Sequence, residues 1–185
     1  MKRLAIITVG KTHSGKTTFA RALEKKLKNS IVVDQDNHAE FLNTYYNNLA
    51  PKQGPNTLKH DISKLIVNYA ADNTDFHIII SNSNRHRKDR LYLLDEFFNK
   101  NNFIRILVHF DIPYTVLQNR VTQSQRSTNI FRNASLNFEE VLVRQESDVV
   151  SAPTRDEADH LCVINNNEEV DTVMQRIVDI ADFIN

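Results

Sequence analysis

A chain of 185 residues, 41% apolar and 25% charged, suits one globular domain with a buried core. Its 23 basic and 23 acidic side chains give a formal charge of zero, so no field of one sign draws in nucleic acid or an anionic membrane. One cysteine, Cys162, excludes an internal disulfide framework and a thiol-rich metal site.

From Lys2 and Arg3 the chain passes into an apolar strand with no small-residue cleavage site, so this start does not read as a secretory signal. The longest apolar runs, such as Ile78-Ile79-Ile80, are far too short to span a bilayer. The expected location is cytoplasmic. Short apolar strands are predicted over 4–9, 31–33, 77–80, 104–110 and 160–164, rich in Ile, Val, Leu and Phe. Between them, helical spacing predicts helices over 16–28, 37–48, 57–71, 88–100, 113–125, 138–148 and 168–183. Pro113 is read as a first-turn residue of its helix. Alternating strands and helices imply an α/β, three-layer fold with a five-stranded parallel sheet, spanning 1–185 as one domain. In such sheets ligands bind at the carboxyl ends of the strands, which here are Gly10, Asp34, Ser81 and Asp111.

Gly10-Lys11-Thr12-His13-Ser14-Gly15-Lys16-Thr17-Thr18 fits the P-loop pattern, with a strand leading in and a helix leading out. Glycine permits the loop's unusual backbone angles and lets the main chain approach phosphates closely. The amides of His13, Ser14, Gly15, Lys16, Thr17 and Thr18 then face an anion at a helix start. Lys16 is expected to reach the β- and γ-phosphates of ATP, and the Thr17 hydroxyl to ligate Mg²⁺. The second strand ends with Asp34 and Asp36, and a spacing of two on a strand would put both carboxylates on one side. A polar turn capping a helix from Asn37 is the alternative reading.

The P-loop, the Asp34-x-Asp36 pair and a later arginine-bearing segment together resemble the small P-loop metabolite kinases. This superfamily includes shikimate and gluconate kinases and the kinase domains of polynucleotide kinase type. The resemblance implies transfer of the ATP γ-phosphoryl group to a hydroxyl of a small molecule. It assigns Mg²⁺ to Thr17 and Asp34, and the acceptor or general-base role to Asp36. It further implies that Arg120 lies over the adenine and that Arg126, in a polar lid over 124–137, closes on the transferring phosphoryl group; Arg132 in the same segment is left without a role. By the same resemblance, 165–168 would hold the adenine edge. Related kinases commonly carry an Asp where this chain has Ser81, which leaves Asp34 with more of the metal.

The basic run Arg85-His86-Arg87-Lys88 opens a predicted helix, where cations oppose the dipole. It reads either as a solvated face with Asp89 or as an anchor for an anionic acceptor. His77, His109 and His160 read as packing residues, and Cys162 as core. Phe41, Tyr45 and Tyr46 read as acceptor-pocket lining or as core. Two other functions stay open: a kinase for nucleic-acid 5′ ends, disfavoured by the neutral charge, and a non-catalytic nucleotide switch, suggested by Ser81. No Asn-Lys-x-Asp base-reading signature of GTPases is present.

Overall fold

The computed structural model describes residues 2–49, 51, 56–131 and 137–184. Among these, five strands and seven α-helices follow the predicted order. They are β1 Arg3–Gly10, α1 Lys16–Lys26, β2 Ser30–Asp34, α2 Gln35–Tyr45, α3 Thr57–Asn73 and β3 His77–Ser81. After them come α4 Arg87–Glu96, β4 Phe103–Phe110, α5 Tyr114–Thr122, α6 Phe138–Ser147, β5 His160–Ile164 and α7 Glu169–Ile184. All strand pairs are parallel, in the order β2-β3-β1-β4-β5.

The alternation of side chains along β1 explains the three layers. Leu4 and Ile6 point to one face and pack with Phe19 and Leu23 of α1, Leu142 of α6 and Ile177 of α7. Ala5, Ile7 and Val9 point to the other and pack with Val67 of α3, Leu94 of α4 and the following Phe98. Both faces of β1 are covered, which is why Leu4 to Ile7 is an unbroken apolar run. Truncating one such isoleucine to alanine costs about 2–5 kcal/mol, through lost burial and the cavity left behind.

Three local expectations are corrected. α2 begins at Gln35 rather than Asn37, because Asp34 is its N-cap and Oδ1 accepts from the Asp36 amide at 2.9 Å. Asp36 therefore sits in a helix first turn, and the same-side strand argument does not apply. Pro113 is the N-cap of α5, one residue outside the helix. The basic run is neither a solvated face throughout nor part of the cleft. Arg85 is buried and donates to Asp148 Oδ2 at 3.0 Å and to the Gln145 carbonyl. Arg87 lies 3.6 Å from Asp156 and 3.7 Å from Glu157. Behind them Arg90, 0% exposed, grips both oxygens of Glu157 at 2.7 and 2.9 Å and caps the carbonyls of Asn84, Arg85 and Ser151. A buried guanidinium needs its donors satisfied; Asn84 and Arg85 lie just before α4, whereas Glu157 and Ser151 come from chain far away in sequence. His77 does act as a packing residue: it is buried, and Nδ1 accepts from the Leu4 amide at 2.9 Å.

Candidate functional site

The carboxyl ends of β1 and β3 are tied together by bonds between the two strands and the turn after β3. Thr8 Oγ1 lies 3.2 Å from the carbonyls of Ile80 and Asn82, Asn84 Nδ2 donates to the Thr8 carbonyl at 2.9 Å, and the Gly10 amide donates to the Ser83 carbonyl at 2.9 Å. These bonds fix Ser81 to Asn84 beside the loop that leaves β1. A Cβ on Gly10 would meet Phe110 and Ser14 Oγ at 3.0 Å, so only glycine fits there. Gly15 holds φ 101 as the cap of α1, a left-handed angle that favours glycine.

The phosphate loop is braced from outside. The Thr12 amide donates to Gln145 Oε1 at 2.7 Å, Lys11 pairs with Glu146, and Arg120 donates to the His13 carbonyl at 3.1 Å. Arg120 also donates to Asn167 Oδ1 at 2.8 Å, so it bridges the loop and the 165–168 turn. Lys16 is half-buried; its ammonium donates to the Lys11 carbonyl and to Ser14 Oγ. Burial pushes its pKa from 10.5 down to about 8, with Asp36 opposing the fall and Arg126 adding to it.

Three oxygens meet next to the loop. Thr17 Oγ1 donates to Asp34 Oδ2 at 3.1 Å and lies 3.3 Å from Ser81 Oγ. Asp34 and Ser81 are both buried. Hard oxygen donors with one carboxylate suit Mg²⁺, an ion that retains waters and phosphate oxygens as further ligands. Among the described residues no cluster of three His, Cys, Asp or Glu offers another metal centre.

A cleft of about 880 Å³ runs over these residues, and its lining includes the loop residues His13 to Thr18, Arg120 and Asn167, and further along Asp36 and Arg126. Arg126 donates to Asp36 Oδ2 at 2.6 Å, and its guanidinium sits 5.3 Å from the centre of the Phe138 ring. Lys59 of α3 and Asn82 line the same cleft. His13 to Thr18, Asp36, Arg120 and Arg126 therefore line one cleft, and Asp34 touches Thr17. Phe41, Tyr45 and Tyr46 do not: they cluster on the surface, 46%, 72% and 48% exposed. The segment from Ser124 is less polar than expected, since Ile130 and Phe131 pack against the core. Arg132 lies outside the described residues. Sequence reasoning missed Gln145, Glu146, Ser124 and Phe138, none of which belongs to a motif.

Comparison with known proteins adds to this geometry. A family model described as an AAA domain matches residues 6–148. An unliganded sugar kinase from Janibacter sp. HTCC2649 has a similar structure, at TM-score 0.61 and 17% identity over 97% of this chain and 95% of that one. Shikimate kinase from Bacteroides thetaiotaomicron aligns at TM-score 0.55 and 14% identity, covering 97% and 98%. A gluconokinase from Sinorhizobium meliloti 1021 aligns at TM-score 0.57 and 13% identity, covering 98% of each chain. At such identities the likeness is one of fold. Among curated proteins, none matches this chain.

Proposed function

This chain belongs to the AAA domain family of P-loop proteins, and from the site it builds we propose that it transfers the γ-phosphoryl group of ATP to a hydroxyl of a small molecule. The observation that carries the reading is the placement of the Asp36–Arg126 pair in the same cleft as the phosphate loop. A nucleotide-binding loop alone needs no paired carboxylate and guanidinium beside it.

In this reading the loop amides and Lys16 hold the β- and γ-phosphates. Thr17, Asp34 and Ser81 would hold Mg²⁺, which supplies charge neutralisation of phosphate oxygens. Asp36 accepts the proton of the acceptor hydroxyl as its oxygen bonds to the γ-phosphorus, and the bond from that phosphorus to the bridging oxygen breaks to release ADP. Before that step Arg126 exchanges the Asp36 carboxylate for the oxygens of the group to be transferred, a task suited to a planar guanidinium. Positioning and electrostatics carry most of such a transfer.

The acceptor is anionic in this proposal. Among the described residues, Lys59 and Arg144 line the cleft with no ion-pair partner, whereas Lys11, Arg120 and Arg126 in or beside the cleft are committed. That argument takes the place of the one from the run at 85–88, whose two arginines are paired with Asp148, Asp156 and Glu157. The formal charge of zero also counts against a 5′-end kinase. The reading further takes 1–185 as one domain working in the cytoplasm, which the buried lone Cys162 supports; no helix among the described residues is long and apolar enough to cross a membrane.

The test is ADP release with a panel of neutral polyols and matched hydroxy acids and sugar phosphates. Stimulation by anionic members, with Lys59→Met weakening it, supports the proposal; equal use of neutral members overturns the acceptor class. If no member stimulates ADP release, the non-catalytic switch moves ahead, a reading that the neutral Ser81 beside Thr17 favours.

A further inference from the structure

Ser124 and Phe138 flank the predicted lid, and both touch the side chain of one phosphate-loop residue, His13. Its Nε2 lies 2.8 Å from Ser124 Oγ, and its ring meets Phe138 edge-on with centroids 4.7 Å apart. Nδ1 lies 3.0 Å from Thr12 Oγ1, so both ring nitrogens have partners. The backbone at His13 has φ 57, a left-handed angle that a non-glycine residue keeps only when its surroundings fix it. Ser124 Oγ in turn accepts from the Arg126 amide at 3.2 Å. Arg126 completes the chain of contacts by lying over the Phe138 ring and reaching Asp36.

We propose that His13 is a positioning residue that seats the segment 124–131 and thereby places Arg126 against Asp36, coupling the acceptor end of the cleft to occupancy of the phosphate loop. The inference rests on the nucleotide-binding reading of that loop. The P-loop pattern leaves this position open, so nothing in phosphate binding itself requires histidine here. The main chain of His13 belongs to the loop wall, while its ring belongs to the packing under Arg126. One residue therefore meets both ends of the reaction. The imidazole is neutral at physiological pH, because burial, with Arg126, Lys16 and Arg120 close by, lowers its pKa to about 4. A neutral ring can accept the Ser124 hydroxyl at Nε2 while donating from Nδ1 to Thr12.

Coupling of this kind is reciprocal: what nucleotide does to the segment, the segment does to nucleotide affinity by the same factor. The experiment follows amide hydrogen exchange of 124–131 in the full chain with and without Mg·AMPPNP. The proteins compared are the parent, His13→Ala, His13→Gln, Ser124→Ala and the His13→Ala/Ser124→Ala pair. In the parent, Mg·AMPPNP slows exchange of the segment. Each alanine variant loses about tenfold of that slowing, the worth of one hydrogen bond, and the double variant is no worse than either. His13→Gln, which keeps a polar atom near Ser124, restores it, and AMPPNP affinity moves by the same factor throughout. Exchange within β1 and β4 stays constant, which a global loss of stability would not allow. An unchanged response in His13→Ala, or additive losses in the double variant, overturns the proposal. If the parent itself fails to bind Mg·AMPPNP, the nucleotide reading falls. Exchange without nucleotide then decides His13 alone: faster exchange of 124–131 in both single variants supports its seating role, and unchanged exchange removes it.

Discussion

Arg126 reaches across the cleft to Asp36 at 2.6 Å, joining the chain that follows α5 to the first turn of α2. Two further bonds reinforce the join: Asn43 Nδ2 donates to the Asn129 carbonyl at 2.6 Å, and Asn129 Nδ2 donates to Thr44 Oγ1 at 2.8 Å. The carboxylate proposed as proton acceptor thus also holds the arginine proposed to meet the phosphoryl group.

Replacing Asp36 by Asn keeps the shape and removes the charge. ATP binding should survive in Asp36→Asn, while transfer to an acceptor falls by roughly 10²–10⁴, the range of general-base loss. Asp34→Asn should differ, raising the Mg²⁺ concentration needed as well as slowing turnover, because Asp34 faces Thr17. Steady-state kinetics at several Mg²⁺ concentrations separates the two, and normal transfer by Asp36→Asn would remove it from the chemistry.

Lys16→Ala should weaken ATP binding by roughly ten- to a hundredfold, the loss of a charged hydrogen bond of about 1.5–3 kcal/mol. The pH dependence follows from its pKa of about 8 in the nucleotide-free protein. Phosphates favour the charged lysine, so above pH 8 binding takes up a proton and affinity falls as pH rises. For folding the sign is opposite: between about 8 and 10.5 the unfolded chain keeps the proton that the folded one has lost, so this group's contribution to stability rises with pH across that window. Calorimetry at pH 8.5 in buffers of different ionisation enthalpy measures the uptake; none in the parent would exclude Lys16 as the titrating group.

Thr17→Val deletes an oxygen and little volume, so it should reduce ATP affinity in the presence of Mg²⁺ far more than in its absence. Ser81→Asp should do the reverse. It adds a second carboxylate near Asp34, which strengthens Mg²⁺ dependence and destabilises the metal-free protein through like-charge repulsion. Titration of nucleotide binding against Mg²⁺ reads both, and equal losses for Thr17→Val with and without the ion would rule out its ligand role.

The Arg90–Glu157 pair has both partners buried. Arg90→Met should cost roughly 3–5 kcal/mol, because it strands a buried carboxylate. The double change Arg90→Met/Glu157→Met should cost less than the single one. Denaturant unfolding measures both, and a double variant worse than Arg90→Met would mean the pair itself is strongly stabilising.

Much of this was legible in the sequence, for identifiable reasons. β1 and β3 are buried on both faces, so their apolar runs are unbroken. The phosphate loop is a local device, with its glycines, lysine and hydroxyl inside nine residues. Asp34 was placed rightly at a strand end, but its second task as helix cap moved Asp36 onto α2, a detail of backbone geometry that spacing alone does not carry. In the run at 85–88, His86, Arg87 and Lys88 are exposed as a solvated face would be, but the acids that engage Arg85 and Arg87, namely Asp148, Asp156 and Glu157, are brought in by the fold and not by nearness in sequence.

The braces of the phosphate loop lie far along the chain: Gln145 is 133 positions from Thr12, Glu146 is 135 from Lys11, and Arg120 is 107 from His13. The loop precedes these braces in the chain by more than a hundred positions, so it is braced only once the intervening elements have folded around it. The sheet obeys the same schedule, since β1 takes β4 as a neighbour. A nucleotide held by the loop therefore draws on contacts that only the assembled fold supplies. It stabilises finished molecules, by mass action on the completed fold.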